Sequence, residues 1–167
     1  VRYVQFATAA VLVAAAAAHA RAGDREPTAV IELGGAAGYS LNGGGASGGP
    51  DIALEVGVVP NWLEIEVGVT SLAGRDGTEW DTDFVFKKPF DLTDKLELAI
   101  GVGPQWAHTT GAAKADAIVA EGLVELAYWP HPQHDIGLFV EPSYEYSFGR
   151  GHEQSIGLTG GLCIGVP

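Results

Sequence analysis

Carboxylates are the groups on this chain whose number and spacing could do chemistry. Glu32, Glu55, Glu64, Glu66, Asp81, Asp83, Glu97, Glu121, Glu125, Glu141 and Glu145 recur along it, with Lys87 as the clearest basic partner. Where two fall close together they sit at even separations, which puts side chains on one face of a strand. Carboxylates this crowded cannot all ionise cheaply. A shared site answers by sharing protons, ordering water or binding cations. Two readings follow: a cation-attracting or proton-sharing network, or a hydrogen-bonded polar filling that keeps the fold rigid. Rigid filling is the expectation.

Other groups invite comparison with known chemistry and fall short of it. His131-Pro132-Gln133-His134, followed by Asp135, offers donors three apart that chelate a transition metal only if the backbone curls. Pro130 and Pro132 restrict that curl, so no metal or other cofactor is expected. His152, Glu153 and Ser155 contain the residue types of a Ser-His-acid hydrolase acting on lipid A. Such a triad is defined by geometry, and in a strand His152 and Glu153 point to opposite faces. Solvated loop residues are the expectation, with no catalytic residue and no enzyme. The run Gly43-Gly44-Gly45-Ala46-Ser47-Gly48-Gly49 lacks the lysine and following helix of a phosphate cradle; it reads as a surface loop.

The elements that must position the acidic face are strands. Apolar side chains alternate with small or acidic ones in eight segments, near 29–40, 51–59, 62–72, 78–88, 95–108, 117–129, 135–148 and 154–166. Ile31, Leu33, Ala37 and Tyr39 share one face of the first, and Ile52, Leu54, Val56 and Val58 one face of the second. Leu63, Ile65, Val67 and Val69 do so in the third. Period-two alternation is what a strand with one apolar and one polar face requires. The connections are rich in Gly and Pro: Asn42–Pro50, Pro60-Asn61, Ala73–Gly77, Pro89–Asp94, Thr109–Asp116, Pro130–His134 and Gly149–Glu153.

Register offers a test. If Pro60-Asn61 is a two-residue hairpin loop, Val59 faces Trp62, Val56 faces Ile65 and Glu55 faces Glu66. Across the sixth connection Tyr128 faces Ile136, Leu126 faces Leu138 and Val124 faces Val140. Apolar meets apolar in both hairpins. Pro104 and Pro142 interrupt the fifth and seventh segments and predict bulges or early strand ends.

Residues 1–22 read differently. Arg2 precedes an alanine-rich apolar run from Val4 to Ala18, and Ala18-His19-Ala20 and Ala20-Arg21-Ala22 both fit small-x-small cleavage. That is a secretory signal peptide, since the run is shorter than the roughly 20 residues of a spanning helix. Residues 23–167 are then one domain. The chain carries 9 Lys and Arg against 21 Asp and Glu, a balance that excludes nucleic acid, whose phosphates need clustered cations. Cys163 is the single cysteine, so no intramolecular disulfide is available.

Eight alternating segments close either as a soluble barrel around a small hydrophobic ligand or, inside out, as a membrane barrel. Three features favour the second. Gly57, Gly68, Gly101, Gly103, Gly137, Gly157 and Gly161 share the acidic face, and small residues relieve crowding in an eight-stranded interior. The apolar faces carry almost no charge across their middles. Tyr39, Trp80, Trp106, Tyr128, Tyr144, Tyr146 and Phe148 fall towards segment ends on the apolar face, as in the aromatic girdles of membrane barrels, and Trp62 and Trp129 flank turns on the other parity.

The leader, the alternation and the terminal aromatics together resemble the small eight-stranded outer-membrane β-barrels, the superfamily that includes the OmpA transmembrane domain. Glu141-Pro142-Ser143-Tyr144-Glu145-Tyr146-Ser147-Phe148-Gly149, with Gly151-His152-Glu153-Gln154-Ser155, looks like the C-terminal hairpin of uncharacterised alphaproteobacterial members. The resemblance implies an all-β, antiparallel up-and-down transmembrane barrel in the cell outer membrane. It implies a monomer with a structural or surface role, surrounded by lipid and lipopolysaccharide and inserted by the barrel-assembly machinery. Members usually close on an aromatic residue, whereas this sequence closes Leu162-Cys163-Ile164-Gly165-Val166-Pro167. Both ends periplasmic puts the first, third, fifth and seventh connections outside. An interior packed with side chains excludes a general porin.

Overall fold

A computed structural model describes residues 27–75, 77–111, 115–131, 134–149 and 151–166; the leader expected at 1–22 lies outside them. Eight strands follow in order: β1 Ala29–Ser40, β2 Ala46–Val59, β3 Leu63–Gly74, β4 Gly77–Thr93, β5 Leu96–Gly111, β6 Ala115–Tyr128, β7 Ile136–Ser147 and β8 Gln154–Val166. Each pairs antiparallel with the next, and β1 pairs with β8, so the sheet is a closed up-and-down barrel. Closure leaves no free edge among the strands.

Alternation decides which side chains fill the cylinder. Along β4, Asp81, Val85 and Lys87 are buried while Phe84 and Phe86 are exposed. Outside lies a belt of large apolar side chains: Val102, Ile118, Ile136, Leu138 and Leu158 are each more than half exposed. The interior is layered. Glu32, Glu55, Glu66, Lys87, Glu125 and Glu141 occupy its middle. Val30, Ala127, Trp129, Phe139 and Cys163 form an apolar cluster towards the end where the start of β1 pairs with the end of β8.

Several local expectations are corrected. Ala46–Pro50 belongs to β2 rather than to the first loop. A Cβ on Gly49 would collide with the Ser71 carbonyl, so the glycines that read as loop permit close approach of β3. Pro89–Thr93 extends β4, with a register shift between Asp91 and Thr93 before the turn. The second hairpin pairs Glu55 with Glu66 and Val56 with Ile65, but Val59 with Leu63. Trp62 N–H donates to the Val59 carbonyl at 2.9 Å and Asn61 has φ 56°. Pro60 at the second position and Asn61, with its positive φ, at the third fit a type II turn, and Pro60 cannot enter the mirror-image two-residue turns, which need a positive φ at its position.

The sixth connection is slipped by two residues: Leu126 faces Val140 and Tyr128 faces Leu138. Strands β5 and β7 run through Pro104 and Pro142 without ending. Pairing skips two residue pairs at each proline and resumes in the same register, from Asp83–Gln105 to Phe86–Val102 and from Leu123–Ser143 to Leu126–Val140. Both rings are exposed on the outer face, where a missing donor interrupts one ladder only.

Candidate functional site: an ammonium among carboxylates

Lys87 is the centre of the interior. β4 turns it inward opposite Glu64 on β3 and Gly101 on β5, and its side chain is fully buried. Its Nζ lies 3.2 Å from Glu55 Oε2, 3.2 Å from Glu141 Oε2 and 3.9 Å from Glu32 Oε1. Glu66 and Glu125 make the closest ion pairs with it. Those partners come from β1, β2, β3, β6 and β7, so one ammonium ties together six of the eight strands.

The carboxylates of Glu32, Glu55, Glu66 and Glu125 place an oxygen each within 4.8 Å of one another. Such a set has the oxygen donors that a hard cation takes. Here the lysine ammonium supplies the cation, and three donors per ammonium satisfy several acceptors at once.

The other predicted carboxylates lie on either side of this knot. Glu64 and Glu97 line a cavity of about 350 Å³ at the end where β1 starts, together with Glu55, Trp129 and His134. Asp81, Asp83, Glu121 and Glu145 line a smaller cavity of about 40 Å³ on the loop side. Glu32 borders both cavities, which puts the ammonium knot between them. Glu121 sits directly opposite Glu145, and Glu55 opposite Glu66, like-charge pairs that cost stability unless a cation or proton intervenes. Glu145 accepts a hydrogen bond from Ser155 Oγ at 2.7 Å. Asp83 lies against Gly68, where a Cβ would stand 2.6 Å from a carboxylate oxygen.

Three interior residues went unread in the sequence. Asp51 lines the loop-side cavity and accepts from Thr70 Oγ1 at 2.6 Å; its parity with Glu55 was an available signal. Gln105 is buried beside Asp83 and shares parity with Gly101 and Gly103. Trp129 is not part of a girdle. It is 3% exposed inside the barrel, its ring stacked on His134 at 5.0 Å. Parity placed it inward, opposite to Tyr128.

The remaining groups stay apart. Ser155 bonds to Glu145, whereas His152 Nδ1 lies 3.1 Å from the Tyr146 hydroxyl in an exposed turn. His134 stacks on Trp129, and among the described residues the only convergent set of metal-type donors is the one around Lys87.

No protein-family profile matches the sequence, and no curated protein matches it. Solved structures do match in shape. Neisserial surface protein A superposes with a TM-score of 0.65 at 15% identity, over 83% of this chain and 97% of that one. The attachment invasion locus protein of Yersinia pestis gives 0.56 at 15% identity over 83% and 98%, and 0.60 in its complex with the heparin analogue sucrose octasulfate. A de novo designed transmembrane β-barrel gives 0.53 at 14% identity, over 84% and 98%. Both natural proteins are small eight-stranded outer-membrane barrels, and at such identities the likeness is one of fold.

Proposed function

We propose that this chain is a β-barrel of the bacterial outer membrane with a structural or surface role. Its lumen is filled by side chains and held by the Lys87 knot. The observation that carries the reading is the inversion of polarity. Leu138, Ile136, Ile118 and Val102 stand more than half exposed on the outer wall while Glu32 and Glu66 are almost wholly buried. An apolar wall of this extent costs solubility in water and is neutral in hydrocarbon. Trp62 and Tyr128 near one rim and Tyr39, Trp80 and Tyr144 near the other are exposed at heights suited to the two interfaces.

Lipid and lipopolysaccharide are the surroundings this reading implies, and the connections after β1, β3, β5 and β7 face outward. A soluble carrier of a hydrophobic ligand fits less well. The larger cavity is bordered by Glu32, Glu55, Glu64, Glu97 and Glu125, and burying an apolar ligand against carboxylates returns little free energy. The test is fractionation of expressing cells, with unheated and heated samples compared by gel mobility. Recovery in the outer membrane with a heat-dependent shift is expected. Recovery in the soluble periplasmic fraction would overturn the reading.

A further inference from the structure

The cavity of about 350 Å³ at the end where β1 starts has two unlike walls. Glu64 on β3, Asp91 on β4 and Glu97 on β5 make one of them acidic. Ala127 on β6, Trp129 just after it, Cys163 on β8 and Val30 on β1 make the other apolar. Glu32, Glu55 and Glu125 form the floor, where Lys87 ties them together. Lys88 also borders the cavity, but its ammonium donates to the Asn61 and Pro89 carbonyls.

Trp129 supplies the observation that points to a ligand. It is 3% exposed and lines the cavity, and its indole Nε1–H has no hydrogen-bond partner among the described residues. His134 stacks on the ring at 5.0 Å, and a Cβ on Gly137 would stand 2.8 Å from Cε3, so that edge is packed against β7. Nε1 belongs to the opposite edge of the indole and is turned away from that strand. A buried donor left unmet is costly. A water bound there needs about two to four polar partners, whereas the cluster holding this ring consists of Val30, Ala127, Phe139 and Cys163. A ligand anchored on the acidic wall brings its own acceptor and needs no others.

We propose that this cavity binds a small organic ammonium ion that also carries a hydroxyl oxygen, an amino alcohol or an amino sugar. The ammonium lies against Glu64, Asp91 and Glu97, the carbon skeleton against Val30 and Ala127, and the hydroxyl oxygen accepts from Trp129 Nε1–H. The volume falls within the ~300–1,000 Å³ of small-molecule sites. Six lining carboxylates exclude an anion, and a wholly apolar ligand would desolvate them without return. A metal ion cannot accept from an N–H and would leave the apolar wall unused. The inference needs the closed barrel and not its membrane address.

The experiment is calorimetric titration of the folded full-length barrel in detergent with glucosamine hydrochloride and with ethanolamine hydrochloride. N-acetylglucosamine and glucose are the uncharged comparisons, and gel mobility without heating confirms closure of every variant. The expected result is one saturable site per barrel for at least one of the two amines, and the tighter of them tells amino sugar from amino alcohol. Both uncharged sugars should bind about tenfold or more weakly, since the charge-assisted contact is lost. Trp129→Phe keeps a ring and deletes the donor, and should weaken binding about threefold to tenfold, the worth of one hydrogen bond. Glu97→Gln removes one charge from the acidic wall and should weaken it about tenfold. Asp116→Asn, exposed at the opposite mouth, should leave binding unchanged. Absence of saturable binding by either amine at millimolar concentration would overturn the proposal. So would equal affinity for N-acetylglucosamine, or unchanged affinity in the closed Trp129→Phe and Glu97→Gln barrels.

Discussion

Replacing Lys87 by methionine keeps the length of the side chain and deletes its charge. Five carboxylates then lose a shared cation, two of them in direct contact and two more at 3.2 Å. A unit-charge pair at that distance attracts with ~5 kcal/mol at an effective dielectric constant of ~20, most of it offset by the cost of burying the charges. Removing one partner of a buried pair costs ~3–5 kcal/mol, because the charge left behind has no compensation. Lys87 serves several partners, so that range is a floor. With a urea dependence of ~2 kcal/mol per molar, the unfolding midpoint should fall by about 2 M. The assay is urea unfolding in lipid vesicles, followed by the heat-dependent gel shift and by tryptophan fluorescence. Adding Glu66→Gln and Glu125→Gln to Lys87→Met should recover part of the loss by removing two stranded charges. A Lys87→Met midpoint equal to that of the parent would refute the idea that the ammonium holds the strands together.

Three further outcomes are expected. Ile100→Arg, at an outer-wall position 48% exposed, should cost ~2–4 kcal/mol near the bilayer midplane; folding yields in vesicles and in detergent would separate, and equal yields would argue against a lipid-facing belt. Gly101→Val would bring a Cβ to 2.7 Å from Val85 Cγ1 and 2.9 Å from Leu123 Cδ1, and overpacking should cost ~1–3 kcal/mol of stability, read as a lower urea midpoint. Ser155→Ala removes the 2.7 Å hydrogen bond to Glu145, worth ~1–2 kcal/mol, and should leave the lipid A mass profile of an expressing host unchanged. A changed profile would revive the hydrolase reading.

Strand number and facing were legible because two chemistries alternate with period two, and that information is local. Leu54 and Glu55 cannot share a face whatever the partner strand does. Stagger was less legible. At the sixth connection a slip of two residues exchanges Leu138 for Val140 opposite Leu126, and both are apolar, so matching faces could not distinguish the two registers. Turn chemistry misled where backbone approach had selected the residue: Gly49 makes room for Ser71 and still reads as loop. Trp129 was grouped with the rim aromatics by its nearness to a turn, although its parity put it inside.

The position of Lys87 shows why a site of this kind resists reading from sequence. Its face follows from β4 alone, but its partners depend on how far five other strands are staggered along the barrel axis. Glu32 and Glu141 are 109 residues apart and meet the same ammonium only because β1, β8 and β7 pair in register. The consequence is an unequal lumen. Around Lys87 the cation is covalently tethered and arrives with the fold, so assembly of that layer needs nothing from solution. On the loop side Asp81, Asp83, Glu121 and Glu145 carry the same kind of charge without a tether among the described residues. Compensation there must come from protons or from an ion, and binding of an ion to the closed barrel alone would add to its stability by mass action. The middle of this barrel thus carries its own counter-charge, whereas among the described residues none of the four loop-side carboxylates forms an ion pair.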